Sequence, residues 1–219
     1  MKQIGQIEQS EVYSRIMELV DSGKLYSLHL DVMRTPLIPD RSAFPLELIR
    51  RLYEGLHEKI ILEVHLMAVE PGPLIQEING FIEPLERTRI TMIIQREAYI
   101  SEGEVTEALR AVKRLGYKAG IGLNLPTPSK SLTDEMIRTA DIILIMSVSM
   151  GKGGQDYSER ANEKIKEISN RFPDKPIKVD GGINDKTAVS AKKAGATIFV
   201  IGSFVTMSRK PLEALEELK

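Results

Sequence analysis

A single (β/α)8 barrel over residues 1–219 is the fold class that the sequence predicts. Three observations point to it. Short β-branched, apolar runs alternate along the whole chain with longer segments of helical period. Those runs are almost continuously apolar, as in Ile142-Ile143-Leu144-Ile145-Met146 and Ile198-Phe199-Val200-Ile201, which is the pattern of strands covered on both faces in a parallel sheet. No linker rich in Pro, Gly or Ser and no low-complexity tract interrupts the alternation. Strict strand–helix alternation in one domain gives a right-handed parallel α/β fold, and eight units make a barrel the leading architecture. An open doubly wound sheet is the alternative, and the missing glycine fingerprint after the first strand counts against it.

The elements follow in order. A weak first strand is expected near Gln3–Ile7, then a helix over Ser10–Val20 with Val12, Ile16, Leu19 and Val20 on one face. Strands are predicted at Leu25–Val32, Lys59–Met67, Arg89–Gln95, Lys118–Leu123, Asp141–Val148, Pro176–Asp180 and Thr197–Gly202. Helical period marks Pro45–Leu56, Gly72–Ile82, Glu102–Leu115, Leu132–Ala140, Ser158–Arg171 and Asp185–Ala194. Pro45 suits a first helical turn, Thr133 precedes an acidic Asp134-Glu135 turn, and Gly116 and Gly195 stand where helices should stop. The Lys/Glu-rich stretches Glu159–Glu167 and Leu212–Lys219 read as solvated helix faces.

Composition excludes several classes of function. The chain is 42% hydrophobic and 28% charged, so it is not disordered throughout. Lys+Arg (30) and Asp+Glu (31) nearly cancel, which argues against a nucleic-acid partner. With no Cys, disulfides, thiolate nucleophiles, iron–sulfur clusters and Cys-based zinc sites are excluded. No stretch approaches the ~20 apolar residues of a membrane span. Met1 to Val20 carries Gln6, Glu8, Gln9, Glu11 and Arg15 where a secretory signal would be apolar. The expectation is a cytoplasmic protein with no membrane partner.

Barrel chemistry sits at the C-terminal ends of the strands, so the polar residues there are the candidates. His29 and Asp31 end one strand, Glu63, His65 and Met67 share a face of the next, and Asp180 ends the strand before Gly181-Gly182. A two-residue spacing places side chains on the same face. Two imidazoles and two carboxylates, His29, Asp31, His65 and Asp180, make a set suited to one divalent cation. Any one of them alone reads more readily as a hydrogen-bonded structural residue or a helix cap. Three glycine-bearing loops follow consecutive strands: Gly151-Lys152-Gly153-Gly154, Gly181-Gly182 and Gly202-Ser203. Backbone N–H groups in such loops can turn toward an anion, and late βα loops of barrels are a recurrent phosphate site. Tight βα turns need glycine in any case, so each pair alone says little.

Leu28-His29-Leu30-Asp31-Val32-Met33, Val64-His65-Leu66-Met67, Met146-Ser147-Val148 with Gly151 to Gln155, Val179-Asp180-Gly181-Gly182 and Gly202-Ser203 together resemble the ribulose-phosphate 3-epimerase family, in order and spacing over nearly the whole chain. The resemblance implies a (β/α)8 barrel with one divalent cation (Zn, Fe, Mn or Co). It implies inversion of C3 of a phosphorylated ketopentose, ribulose 5-phosphate to xylulose 5-phosphate, by two-base proton transfer through a metal-stabilised enediolate. By position, His29, Asp31, His65 and Asp180 resemble the family's metal ligands, and Asp31 and Asp180 its acid/base pair. Gly151, Lys152, Gly153, Gly154, Gly181, Gly182, Gly202 and Ser203 resemble its phosphate grip. Met33, Met67 and Met146 resemble the methionines of its reaction centre, with His65 also expected to face substrate. A homo-oligomer is implied by resemblance alone.

The chain departs from the family pattern around that core. Arg34-Thr35 follows Met33 where the family has Asp-Gly, and Gln95 stands where it has His. Met150-Gly151-Lys152-Gly153-Gly154 replaces Pro-Gly-Phe-Gly-Gly, and no Ser lies in register in Gln3–Ile7. These changes leave open a 3-epimerase of a ketohexose 6-phosphate such as allulose 6-phosphate. They also leave open a non-catalytic sugar-phosphate-binding barrel, or a metal-free lyase or synthase.

Overall fold

The computed structural model describes residues 11–39, 45–151 and 154–218. Seven parallel strands form one sheet in chain order, β1 (Ser27–Met33), β2 (Ile61–Met67), β3 (Thr91–Gln95), β4 (Lys118–Leu123), β5 (Ile142–Met146), β6 (Ile177–Asp180) and β7 (Ile198–Val200). The strands curl into a nearly closed TIM barrel with helices outside. The weak strand expected near Gln3–Ile7 lies outside the described residues, as does the side chain of Val12. Nine helices are described: α1 (Glu11–Asp21), α2 (Leu46–Leu56), α3 (Gly72–Asn79), α4 (Glu102–Arg114), α5 (Asp134–Thr139), α6 (Arg160–Arg171), α7 (Asp185–Ala194), α8 (Ser203–Thr206) and α9 (Pro211–Glu216).

Local chemistry starts and stops these elements. Thr133 accepts the Met136 N–H and caps α5 as predicted. Ser101 with Glu104, and Asn184 with Thr187, form reciprocal capping pairs at α4 and α7. Gly195 ends α7 at φ 114°, a conformation that glycine reaches without Cβ strain. The predicted helix Gly72–Ile82 ends early, at Asn79, and a 3-10 segment, Pro84–Arg89, leads into β3. The strand expected over Asp141–Val148 is shorter at both ends, spanning Ile142–Met146, with the Asp141 side chain accepting the Ala119 N–H at its start.

Period-2 alternation splits the strand residues into two packed sets. Outward side chains such as Leu30, Val64, Ile94, Ile121, Ile145 and Val179 are buried against the helices. Val105, Leu109 and Val112 of α4 are buried in the same core, each worth roughly 1.5–3 kcal/mol when removed from water. The inward set is divided. Ile93, Leu144 and Met146 form a separate apolar cluster on one side of the barrel interior. β1, β2 and β6 contribute polar groups to the other side. Parallel register sets their heights, pairing His29 with Glu63, Asp31 with His65, Met33 with Met67 and Met146 with Asp180.

Candidate metal centre and phosphate loops

His29, Asp31, His65 and Asp180 converge, with one ligand atom from each lying within 4.8 Å of the others. Ligand bonds of ~2.0–2.2 Å put donors up to about 4.4 Å apart across an ion, so the cluster is close to the size of a cation's coordination shell. The His65 Nδ1 lies 2.9 Å from Asp31 Oδ1, and His29 Nε2 lies 3.4 Å from the same oxygen. The two imidazole rings are 5.4 Å apart and tilted by 54°.

Two further features fit a cation. His29 Nε2 is buried without a hydrogen-bond partner. His65 Nε2 lies 3.2 Å from Gln95 Oε1, while the Gln95 amide nitrogen donates to Met150 Sδ. An amide oxygen only accepts, so the His65 Nε2 carries a hydrogen and Nδ1 is the nitrogen that faces Asp31. Once Nδ1 gives up any hydrogen, it and the Asp31 carboxylate are two donors suited to one cation between them.

Supporting residues that the sequence reading did not assign complete the cluster. Glu63 Oε2 lies 3.4 Å from His29 Nδ1 and also pairs with Lys178 Nζ, both side chains being almost fully buried. Gly122 of β4 makes room for Gln95, because a Cβ there would stand 1.8 Å from Gln95 Oε1. The Ser147 hydroxyl donates to the backbone oxygens of Asp180 and Gly181, stapling the end of β5 to the end of β6. A sequence signal existed for two of them: Glu63 and Lys178 stand two residues before His65 and Asp180, on the same inward faces.

The electrostatics are asymmetric. Burial disfavours the His29 imidazolium, yet contacts with Asp31 and Glu63 and the charges of Asp31 and Asp180 outweigh it and raise its pKa to about 9. For Asp31, burial is again the largest influence, opposed by both histidines, which together hold the carboxyl well below its usual range. Glu63 is lowered to about 2, as His29 and Lys178 outweigh its burial. Asp180 goes the other way, raised by burial and by the Asp31 charge. Two carboxylates a few ångströms apart are thus pushed in opposite directions.

Met33, Met67 and Met146 line the same cavity as His29, Asp31 and Asp180, as do Gly151, Gly154, Gly181, Gly182, Gly202 and Ser203. Lys152 and Gly153 lie outside the described residues. His65, expected to face substrate, is fully buried and reaches the cavity side through Asp31. Gly182 sits at φ 59° with its α-carbon against the loop between β5 and α6, where a Cβ would meet the Tyr157 nitrogen at 2.4 Å. Arg34 Nη1 donates to the Met33 carbonyl, 3.0 Å away, at the mouth of β1. Arg15 of α1 donates to the Thr206 and Ser208 carbonyls and so anchors the segment that follows Gly202-Ser203.

Fold and site together define a barrel enzyme whose strand ends hold a His/Asp cluster beside glycine loops. Residues 8–206 match the Ribulose-phosphate 3 epimerase family, and the chain belongs to it, among the isomerases that act as epimerases on carbohydrates. Ribulose-phosphate 3-epimerase of Helicobacter pylori (strain ATCC 700392 / 26695) is 31% identical over 198 residues, covering 88% of this chain and 84% of the relative. That of Synechocystis is 31% identical over 212 residues, covering 93% and 86%. The cytoplasmic isoform of Oryza sativa is 27% identical, covering 88% and 80%. Among solved structures, a 3-hexulose-6-phosphate synthase superposes with a TM-score of 0.64 at 17% identity, covering 95% of this chain and 90% of that one. At that identity it attests the fold alone. No helix of the described residues is long and apolar enough to cross a membrane.

Proposed function

We propose that this protein inverts C3 of a phosphorylated ketose, interconverting ribulose 5-phosphate and xylulose 5-phosphate. The observation that carries the reading is the convergence of Asp31 from β1 and Asp180 from β6 in one cluster with His29 and His65. The C3 proton is acidic because C2 is a carbonyl, and inversion needs a proton acceptor on one face and a donor on the other. Asp31 from β1 is the group assigned to take the proton and Asp180 from β6 the one assigned to return a proton to the opposite face, and the reverse reaction exchanges the roles. His29, Asp31, His65 and Asp180 would hold one divalent cation (Zn, Fe, Mn or Co), which supplies Lewis-acid stabilisation of charge developing on the ketose oxygens.

The remaining residues orient the substrate. Gly151, Gly154, Gly181, Gly182, Gly202 and Ser203, with Lys152 and Gly153, form the phosphate grip of this reading, and phosphate binding far from C3 contributes orientation. Met33, Met67 and Met146 present unbranched apolar side chains that exclude water around the reacting carbons. The test is turnover of ribulose 5-phosphate with Mn²⁺, Zn²⁺, Fe²⁺ or Co²⁺ added, and solvent deuterium exchange at C3. Asp31→Asn and Asp180→Asn should each lower turnover by ~10²–10⁴-fold. Activity like that of the wild type in both variants would overturn the assignment. Arg34-Thr35 in place of the family's Asp-Gly motivates a second reading, a ketohexose 6-phosphate such as allulose 6-phosphate. The ratio of kcat/KM for the two sugars decides between them.

A further inference from the structure

The Glu63–Lys178 ion pair crosses the barrel interior from β2 to β6, directly beneath the four-residue cluster, and both side chains are at most 2% exposed. A buried ion pair loses much of its attraction to desolvation, and apolar residues of similar volume often serve a core as well or better. Packing therefore does not explain why it is there. Its connections do. The same Glu63 oxygen that takes Lys178 also lies 3.4 Å from His29 Nδ1, and the opposite ring nitrogen of His29 is the buried, unpartnered atom turned toward Asp31. A carboxylate paired with a lysine ammonium accepts from its other neighbours, so it places the ring hydrogen on Nδ1 and leaves Nε2 to offer its lone pair.

We propose that Glu63 and Lys178 are positioning residues: Lys178 holds the Glu63 carboxylate in place, and Glu63 fixes His29 with its hydrogen on Nδ1 so that Nε2 faces the cation site. Gln95 does the converse for His65, whose Nδ1 faces the site. The two imidazoles are thereby presented through different nitrogens by acceptors of different kinds. The inference rests on the metal reading above and concerns only how this chain prepares His29 for it. Outer partners of this sort are typically worth ~10–100-fold in metal affinity.

Two double variants separate positioning from packing. Glu63→Gln/Lys178→Met and Glu63→Leu/Lys178→Met both remove the ion pair, and they differ in whether an acceptor remains for His29 Nδ1. Zinc affinity is read by competition with a chromophoric chelator, and folding by thermal unfolding. The Gln variant is expected to bind zinc within about threefold of wild type, and the Leu variant ~10–100-fold more weakly at comparable Tm. Equal zinc affinities in the two would overturn the proposal. Independently of any variant, nitrogen-15 spectra of the zinc-loaded wild type, which has only three histidines, should show His29 protonated at Nδ1 and His65 at Nε2. A His29 protonated at Nε2 would overturn it. A wild type that binds no zinc, manganese, iron or cobalt would remove the metal reading itself, a result distinct from either of these.

Discussion

Gly122→Ala should damage the site from outside it. The new Cβ would stand 1.8 Å from Gln95 Oε1, 3.0 Å from Gln95 Cδ and 3.3 Å from His65 Nε2. Ordinary contact begins near 3.4 Å, so the amide must swing away by more than an ångström. The Gln95 Oε1 now lies 3.2 Å from His65 Nε2, and that displacement breaks the bond. Gln95 and His65 are both fully buried, so solvent does not replace the lost acceptor. A buried donor left unsatisfied costs ~1–3 kcal/mol, and overpacking adds ~1–3 kcal/mol. The sum is about 2–6 kcal/mol, or roughly 5–20 °C in Tm for a chain of this length. Zinc affinity should fall ~10–100-fold, because nothing then holds the His65 hydrogen on Nε2. Thermal unfolding and chelator competition read the two effects separately. Adding Gln95→Ala relieves the clash and should recover part of the Tm while leaving zinc affinity low. Wild-type Tm and zinc affinity in Gly122→Ala would refute the reasoning.

Three other outcomes are expected. Because His29 titrates near pH 9 in the metal-free protein, zinc uptake at pH 7 should release about one proton from it, and affinity should rise up to tenfold per pH unit below pH 9. Calorimetry in buffers of different ionisation enthalpy measures this, and buffer-independent heats would contradict it. Stability of the metal-free protein should be greatest between about pH 4.5 and 6.5. The Glu63 contribution is present above its unfolded pKa of 4.5 and lost as pH falls through about 2, whereas that of His29 is present below 6.5 and lost as pH rises through about 9. A Tm that stays flat from pH 6.5 to 9 would count against the His29 assignment. Finally, Ser147→Ala removes the hydroxyl that bonds the Gly181 carbonyl and doubles the Ser147 N–H bond to the Asp180 carbonyl. It should cost ~1–3 kcal/mol of stability and lower kcat more than it changes KM. An unchanged kcat would show that Asp180 needs no such staple.

Much of the barrel was legible beforehand because local rules and tertiary packing agree in it. Lys118–Leu123 and Asp185–Ala194 stand with the predicted boundaries. The remaining six strands of the described sheet differ at their ends, where ladder bonds give way to turns and side-chain caps. Two of the helix caps, Ser101 with Glu104 and Asn184 with Thr187, follow the three-residue spacing of a capping box. Period-2 alternation and strand-end placement put His29, Asp31, His65 and Asp180 on inward faces at similar heights, and the nearly closed sheet brings the four together. The grip expected of Lys152 and Gly153 lies outside the described residues.

By itself, then, the sequence determined which residues face inward at the strand ends, since alternation along a strand is a local property of the pleat. Only the tertiary structure decided which inward residues meet across the barrel. Glu63 and Lys178 are 115 positions apart, and their pairing depends on curvature and on the register of each successive strand pair. So does the clearance at Gly122 that lets Gln95 reach His65. The nitrogen that each imidazole turns toward Asp31 depends on the same contacts, because a ring's two nitrogens are told apart only by what each one touches.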